Sequence, residues 1–184
     1  MTKTKMFEKF IHLWKAGPYM MSSVPDKNDL YYVSEGTVMF FLHKDAFDSL
    51  MIMMKDENIP CSENAYTCRF GKEILDQINT DSPCQVYAGA SNNGLWKYAE
   101  AENGKFTFFT KQRECYINPK SVYIVPYVYN NVEYGALYSV FDDFYTYVLP
   151  CRVPENIKDE IKANTEKYLA EKAEKARKRK NQTA

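Results

Sequence analysis

Three stretches in the last third of the chain decide the fold: SVYIVPYVY (Ser121–Tyr129), YGALYSVF (Tyr134–Phe141) and FYTYVLPCR (Phe144–Arg152). Each is short and rich in aromatic and β-branched residues, the composition of a strand on a pleated, half-buried surface. Asp142-Asp143, between Phe141 and Phe144, reads as a polar turn rather than a metal-binding carboxylate pair. Aromatic residues crowd this region: Tyr123, Tyr127, Tyr129, Tyr134, Tyr138, Phe141, Phe144, Tyr145 and Tyr147. Successive side chains of a strand point to opposite faces, so only about half can enter one core. The rest must be exposed or covered by a partner.

Working upstream, Phe106–Lys111, Leu95–Ala99 and Cys84–Ala88 are further strand-like runs. Glu102-Asn103-Gly104 and Ala90-Ser91-Asn92-Asn93-Gly94 link them as hairpin turns. Leu30–Val33 and Thr37–Leu42 are strands joined at Ser34-Glu35-Gly36, where Gly supplies a positive φ. Pro25 to Asp29 is a turn between two extended runs. Helical spacing of Phe47, Leu50, Met51 and Met54 predicts a helix over Asp45–Met54. Phe70–Ile78 is a shorter one with Ile74, Leu75 and Ile78 inward. Met6–Lys15 is an amphipathic helix with Phe7, Phe10, Ile11 and Trp14 on one face, stopped by Gly17-Pro18.

Pro154–Lys180 differs in kind. It is rich in Ala, Glu and Lys, with a thin stripe of Ile157, Ile161 and Leu169, and reads as a solvated helix fraying towards Arg177-Lys178-Arg179-Lys180. The fold class expected is therefore α+β: antiparallel sheets, a few short helices and a charged C-terminal helix. One domain spans 1–153 and a helical tail 154–184.

The order of motifs resembles one domain of a bacterial or phage β-type DNA sliding clamp over about residues 6–153. Tyr32-Val33-Ser34-Glu35-Gly36 and Thr37-Val38-Met39 stand where that family has its Thr-Asp-Gly-His-Arg-Leu signature. Phe70–Ile78, Gln85–Ala88, Asn92-Asn93-Gly94, Phe106–Thr110 and Val125-Pro126 follow in the family's order. Tyr147 to Val153 is similar to its Met-Pro-Met-Arg ending. The His-Arg pair is replaced by Thr37-Val38, and a DNA-encircling ring needs about six such domains where this chain has room for roughly one and a half. A hexameric ring, a shortened clamp and a clamp fold reused for another task all stay open. The resemblance implies a DNA-clamp-like domain acting in replication.

Lys plus Arg and Asp plus Glu each total 24, so the formal net charge is zero. Residues 154–184 hold nine basic and six acidic side chains, leaving the body net acidic. A protein that coats nucleic acid over its whole surface is more basic than this, so DNA contact must be local. The candidates are Lys3, Lys5, Lys9 and Lys15 on the first helix, and Lys172, Lys175, Arg177, Lys178, Arg179 and Lys180 on the tail. The plain alternative for both is a solubilising face, helped at the tail by the helix dipole.

The five Cys include no CxxC, and their odd number argues for reduced thiols in a cytoplasmic setting. No apolar run approaches the ~20 residues that span a bilayer. His12 and His43, the only histidines, lack a second ligand at i+3 or i+4, and Cys61 and Cys68 lack a second pair, so no metal and no cofactor is expected. No phosphate-binding loop and no nucleophile–base signature is present. The expectation is a non-enzymatic binding protein. Its candidate protein interface is Tyr127, Tyr129, Tyr134, Phe141, Asp142, Asp143, Phe144 and Tyr145, an aromatic surface made acidic by Glu133 and the two Asp. The partner would be a polymerase, a nuclease or a second copy of the chain. A phage anti-defence inhibitor of the anti-CRISPR kind, bound to a host nuclease, is the alternative.

Overall fold

Tight turns between runs of alternating residues set the architecture. At Asn130-Asn131 both residues take positive φ (50° and 59°), the geometry of a two-residue hairpin whose twist matches its strands. It joins β8 (Val122–Tyr129) to β9 (Val132–Val140), closing on the pair Tyr129 and Val132. At Ser34-Glu35-Gly36 the φ of Gly36 is 101°. The buried Glu35 carboxylate accepts from the backbone N–H of Thr37 (3.0 Å) and Val38 (2.7 Å), which fixes this turn between β2 (Leu30–Ser34) and β3 (Val38–His43).

A computed structural model describes the chain except residues 14–17, 25, 64–71, 77, 79, 81–82, 88–90 and 183–184; at 87 and 179–182 it describes the backbone alone. The remaining elements are α1 (Lys3–Ile11), β1 (Tyr19–Ser23), α2 (Lys44–Asp56), β4 (Cys61–Glu63), β5 (Cys84–Tyr87), β6 (Trp96–Ala101), β7 (Phe106–Thr110), a 3₁₀ helix (Lys111–Tyr116), β10 (Phe144–Val148) and α3 (Glu155–Gln182). The fold is α+β. A seven-stranded sheet runs in the order β4-β1-β2-β3-β10-β9-β8, and a three-stranded antiparallel sheet in the order β5-β6-β7.

Several expectations shift. The large sheet is mixed, because β1 and β4 pair in parallel. The first helix starts three residues early, where the Thr2 hydroxyl accepts from the Lys5 N–H as its cap, and it ends at Ile11. The last strand stops at Val148, short of Arg152. Within the Phe70–Ile78 stretch residues 72–76 are helical, while Phe70 lies outside the described residues. Expected fraying of the tail is not seen, since its backbone is helical to Gln182.

The larger core cluster lies on the face of the large sheet that carries α1 and α2, and a smaller one, with Tyr32, Phe41, Val125, Tyr138 and Tyr147, lies on the other. Phe7 and Phe10 of α1 meet Phe40 edge-on at 5.5 and 4.6 Å between ring centroids, with Phe144, Tyr19 and Tyr116 around them. Burying each such ring contributes about 2–3 kcal/mol. The small sheet covers the β8–β9 end of this face. Its own outer face, through Trp96, Tyr98 and Phe108, receives Val153 and, from the start of α3, Ile157 and the fully buried Ile161.

Gly135 is where the two sheets meet. The Thr107 hydroxyl of β7 donates to the Gly135 carbonyl at 2.6 Å. A Cβ at this position would stand 2.8 Å from Cγ2 of Ile124 and 3.4 Å from the Phe106 carbonyl oxygen. Ile124 is β-branched and buried, so it has little freedom to move aside. Gly135→Val is expected to destabilise the fold by about 1–3 kcal/mol, or more if the sheets part. Urea unfolding of the two proteins measures this, and a midpoint equal to that of the native chain would show that the contact is not tight.

Candidate functional site

Strand register collects the tyrosines. Tyr123 of β8 stands opposite Tyr138 of β9, which stands opposite Tyr147 of β10. Tyr127 is opposite Tyr134, and Tyr129 opposite Val132. Directly opposed residues share a face, as do residues two apart on one strand. Tyr123, Tyr127, Tyr129, Tyr134, Tyr138, Tyr145 and Tyr147 therefore share the sheet face turned away from α1. This is close to half of the chain's 15 Tyr, so the aromatic richness is concentrated rather than spread.

Exposure rises steadily across the face. Tyr147 and Tyr138 are buried, and Tyr123, Tyr127 and Tyr145 half-buried. Tyr134 is 44% and Tyr129 58% exposed at the hairpin tip. The rings support one another. Tyr138 stacks on Tyr145 (5.8 Å, 18°), and Tyr127 lies parallel to Tyr129 (6.5 Å, 7°). The Tyr147 hydroxyl donates to the Pro126 carbonyl at 3.2 Å. Burial raises the Tyr138 and Tyr147 phenols well above their ordinary range. At Tyr127 burial is again the main cause of an upward shift, ahead of the neighbouring Tyr129 and Tyr134. Ile74, Leu75 and Ile78 pack on the same side, with Lys72 bonded to Asp26 at 2.6 Å beside them. The described residues of β8, β9 and β10 include no Lys or Arg. Their one charged side chain, Glu133, lies on the opposite face and pairs with Lys105 at 3.7 Å.

The eight candidate interface residues do not form one patch. Tyr127, Tyr129 and Tyr134 gather at the hairpin tip. Phe141 to Tyr145 lie about 20 Å away at the other end of β9, given ~3.3 Å per strand residue. Phe144 is no interface residue: it is 3% exposed and packs with Phe7 and Phe40. Phe141 stacks on it at 4.5 Å and is half-buried. The expected acidity is also reduced, because Asp143 pairs with Lys3. That pairing withdraws Lys3 from the set of free cations. Lys5 and Lys9 are exposed, and Lys15 lies outside the described residues. Lys172, Lys175, Arg177 and Lys178 are exposed on α3, and Arg179 and Lys180 lie in its helical backbone. The two basic groups sit on different elements, one against the large sheet and the other running off the small one.

An open cleft of about 760 Å³ has His12 and Cys115 among its lining residues. It does not assemble a nucleophile. His12 is exposed, the Cys115 thiol donates to the Gln112 carbonyl at 3.5 Å, and burial raises that thiol's pKa. A second cleft, about 600 Å³, lies between the start of α1 and the Asp142-Asp143 turn. Among the described residues no three His, Cys, Asp or Glu converge as metal ligands would, and no helix is long and apolar enough to cross a membrane. One feature of the interior was not anticipated: Lys97, 7% exposed on the inward side of β6, reaches Glu114 at 3.5 Å.

No family model, curated protein or solved structure matches this chain. The likeness to sliding clamps therefore rests on motif order alone.

The half-buried Cys61 and Cys84 thiols and the buried Tyr32 phenol are expected to make the fold sensitive to alkali. Burial pushes Cys61 up to about 11, Cys84 to about 12 and Tyr32 to about 12. The native state holds these protons more tightly than the unfolded chain, so the associated stability is complete below about pH 9 and is lost as pH climbs through 11 to 12. Thermal unfolding followed from pH 8 upwards should show Tm falling steeply above about 9. A flat profile to pH 11 would mean that these groups are solvated.

Proposed function

We propose that this chain is a non-enzymatic binding protein that docks a protein partner on its tyrosine face, centred on the β8–β9 hairpin tip. The observation that carries the reading is the exposure gradient along one uncharged sheet face, from buried Tyr147 to open Tyr129. Tyrosine gives large contact area with few rotatable bonds and a hydroxyl for adaptable hydrogen bonding. Asn130 and Asn131 at the tip add further polar contacts. Single-stranded nucleic acid would also stack on such rings, but its phosphates require nearby cations, and the face itself offers none. The outer edge of β8 does not invite strand addition. Pro126, opposite Gly135, falls by alternation from the Tyr129–Val132 pair at a position whose nitrogen points away from β9, so a donor is missing there.

Motif order suggests the class of partner: a DNA-handling protein, served by a clamp-type accessory factor in replication. A second reading, an anti-CRISPR-type inhibitor seated on a host nuclease, draws on the same lack of cations, since a neutral or acidic aromatic surface fits a basic DNA channel. Both place the contact at Tyr127, Tyr129 and Tyr134. They differ in outcome, because an inhibitor abolishes cleavage by the captured nuclease and an accessory factor leaves it intact.

Tyr129→Ser with Tyr134→Ser is the test. Both side chains are exposed, so Tm should change by no more than about 2 °C. Crosslinking of the native chain in host extract should yield a discrete protein adduct that the double variant loses. An identical adduct pattern from the variant would move the interface elsewhere.

A further inference from the structure

The distal half of α3 is organised in a way its composition does not reveal. The proximal half is anchored: Ile161 is fully buried, Thr165 is buried, and the Asn164 amide donates to the Asn92 side chain at 3.0 Å. From Glu166 to Lys178 every side chain is exposed, so the helix leaves the body after Thr165. The 17 further residues to Gln182 extend it by about 25 Å at 1.5 Å per residue.

The face that docks the helix continues into this overhang, but its chemistry changes. At 3.6 residues per turn, Ile161, Thr165, Tyr168, Lys172 and Lys175 follow one another at steps of four and three, which keeps them on one side. The sequence carries the same spacing on to Arg179. Glu166 and Glu174 fall on the opposite side with Lys167 and Arg177, and Glu171 and Lys178 towards the margin. Glu174 is bonded to Lys178 at 2.6 Å. Among the described residues, neither Lys172 nor Lys175 takes part in an ion pair. The overhang thus carries only cations along one side and a mixture of cations and carboxylates on the other.

We propose that the stripe of Lys172, Lys175 and Arg179 is a nucleic-acid phosphate site, separate from the tyrosine face. Three occupants suit an exposed basic helix, and two conflict with this one. A second copy pairing along the stripe would bring like charges together at the seam. An anionic membrane surface needs an apolar face to insert, and the overhang offers only Tyr168, Leu169 and scattered Ala. A nucleic-acid backbone requires neither. Lys and Arg side chains on one helix face neutralise phosphates and release counterions without reading sequence. The body is net acidic, so it repels the same backbone and confines the contact to the overhang.

The test uses the full chain with a mixed-sequence duplex of about 30 bp, a poly-dT strand of similar length, and vesicles of phosphatidylcholine with phosphatidylserine. Duplex binding should be measurable at about 50 mM salt and weaken steeply as salt rises, while vesicles retain nothing. Lys172→Gln with Lys175→Gln and Arg179→Gln should reduce the slope of log K against log salt by about 2–3 and weaken binding about tenfold or more. Lys167→Gln with Arg177→Gln, on the other side, should change binding by less than about threefold. Circular dichroism of both variants checks that helix content is kept. Absence of DNA binding at low salt, equal losses from the two variants, or retention by vesicles in place of DNA would each overturn the proposal. The Tyr129→Ser/Tyr134→Ser protein should bind DNA like the native chain, so failure of one site is told apart from failure of the other.

Discussion

The register that sets Tyr123 against Tyr138 and Tyr138 against Tyr147 is the constraint on which the molecule depends. Side chains alternate along a strand, so this one alignment sorts every residue of β8, β9 and β10 to a face. It sends Val122, Ile124, Leu137, Phe144 and Val148 into the core beneath α1 and α2. It sends the tyrosines the other way. A slip of one residue would exchange the two sets, burying phenols against Phe7 and Phe40 and exposing Leu137 and Phe144. The Asn130-Asn131 turn and the Thr107 bond to Gly135 hold the register from the hairpin end.

Charge is distributed as deliberately as the aromatic rings. On the body, several cations and carboxylates are paired in place: Lys3 with Asp143, Lys105 with Glu133, Lys97 with Glu114, Lys72 with Asp26. The pairs exposed on both sides, Lys3 with Asp143, Lys105 with Glu133 and Lys72 with Asp26, add little stability. The tyrosine face is electrically quiet for another reason: β8, β9 and β10 carry one charged side chain, Glu133, and it lies on the opposite face. A further group of exposed cations, Lys172, Lys175 and Arg177 among them, lies where the body ends, on α3. Two surfaces of different chemistry thus lie apart on one chain, one aromatic and uncharged, the other rich in Lys and Arg.

Much of the architecture was legible in the residues. Strand runs, the Gly36 turn and the helical spacing of Leu50 and Met54 all predicted elements that formed close to their expected limits. Phe144 was misjudged because its place beside an acidic turn suggests exposure. Counting alternation back from Thr146 and Val148 shows that it points to the core. Lys97 was equally readable: Ala99 and Ala101 mark the inward side of β6, and Lys97 lies two residues before Ala99. The Asn130-Asn131 hairpin signal lay in plain view between two aromatic runs. The parallel pairing of β1 with β4 was not readable, because a three-residue strand has no pattern of its own and its partner is set by tertiary packing. The split of the aromatic interface into two ends of β9 likewise needed the register, since residues near in sequence lie far apart along an extended strand.

Nitration of the native chain with tetranitromethane, followed peptide by peptide, measures the tyrosine gradient directly. Tyr129 and Tyr134 should be modified first, Tyr123, Tyr127 and Tyr145 later, and Tyr138 and Tyr147 only when the chain unfolds. Early modification of Tyr138 or Tyr147 in the folded protein, with Tyr129 protected, would contradict the register and everything drawn from it.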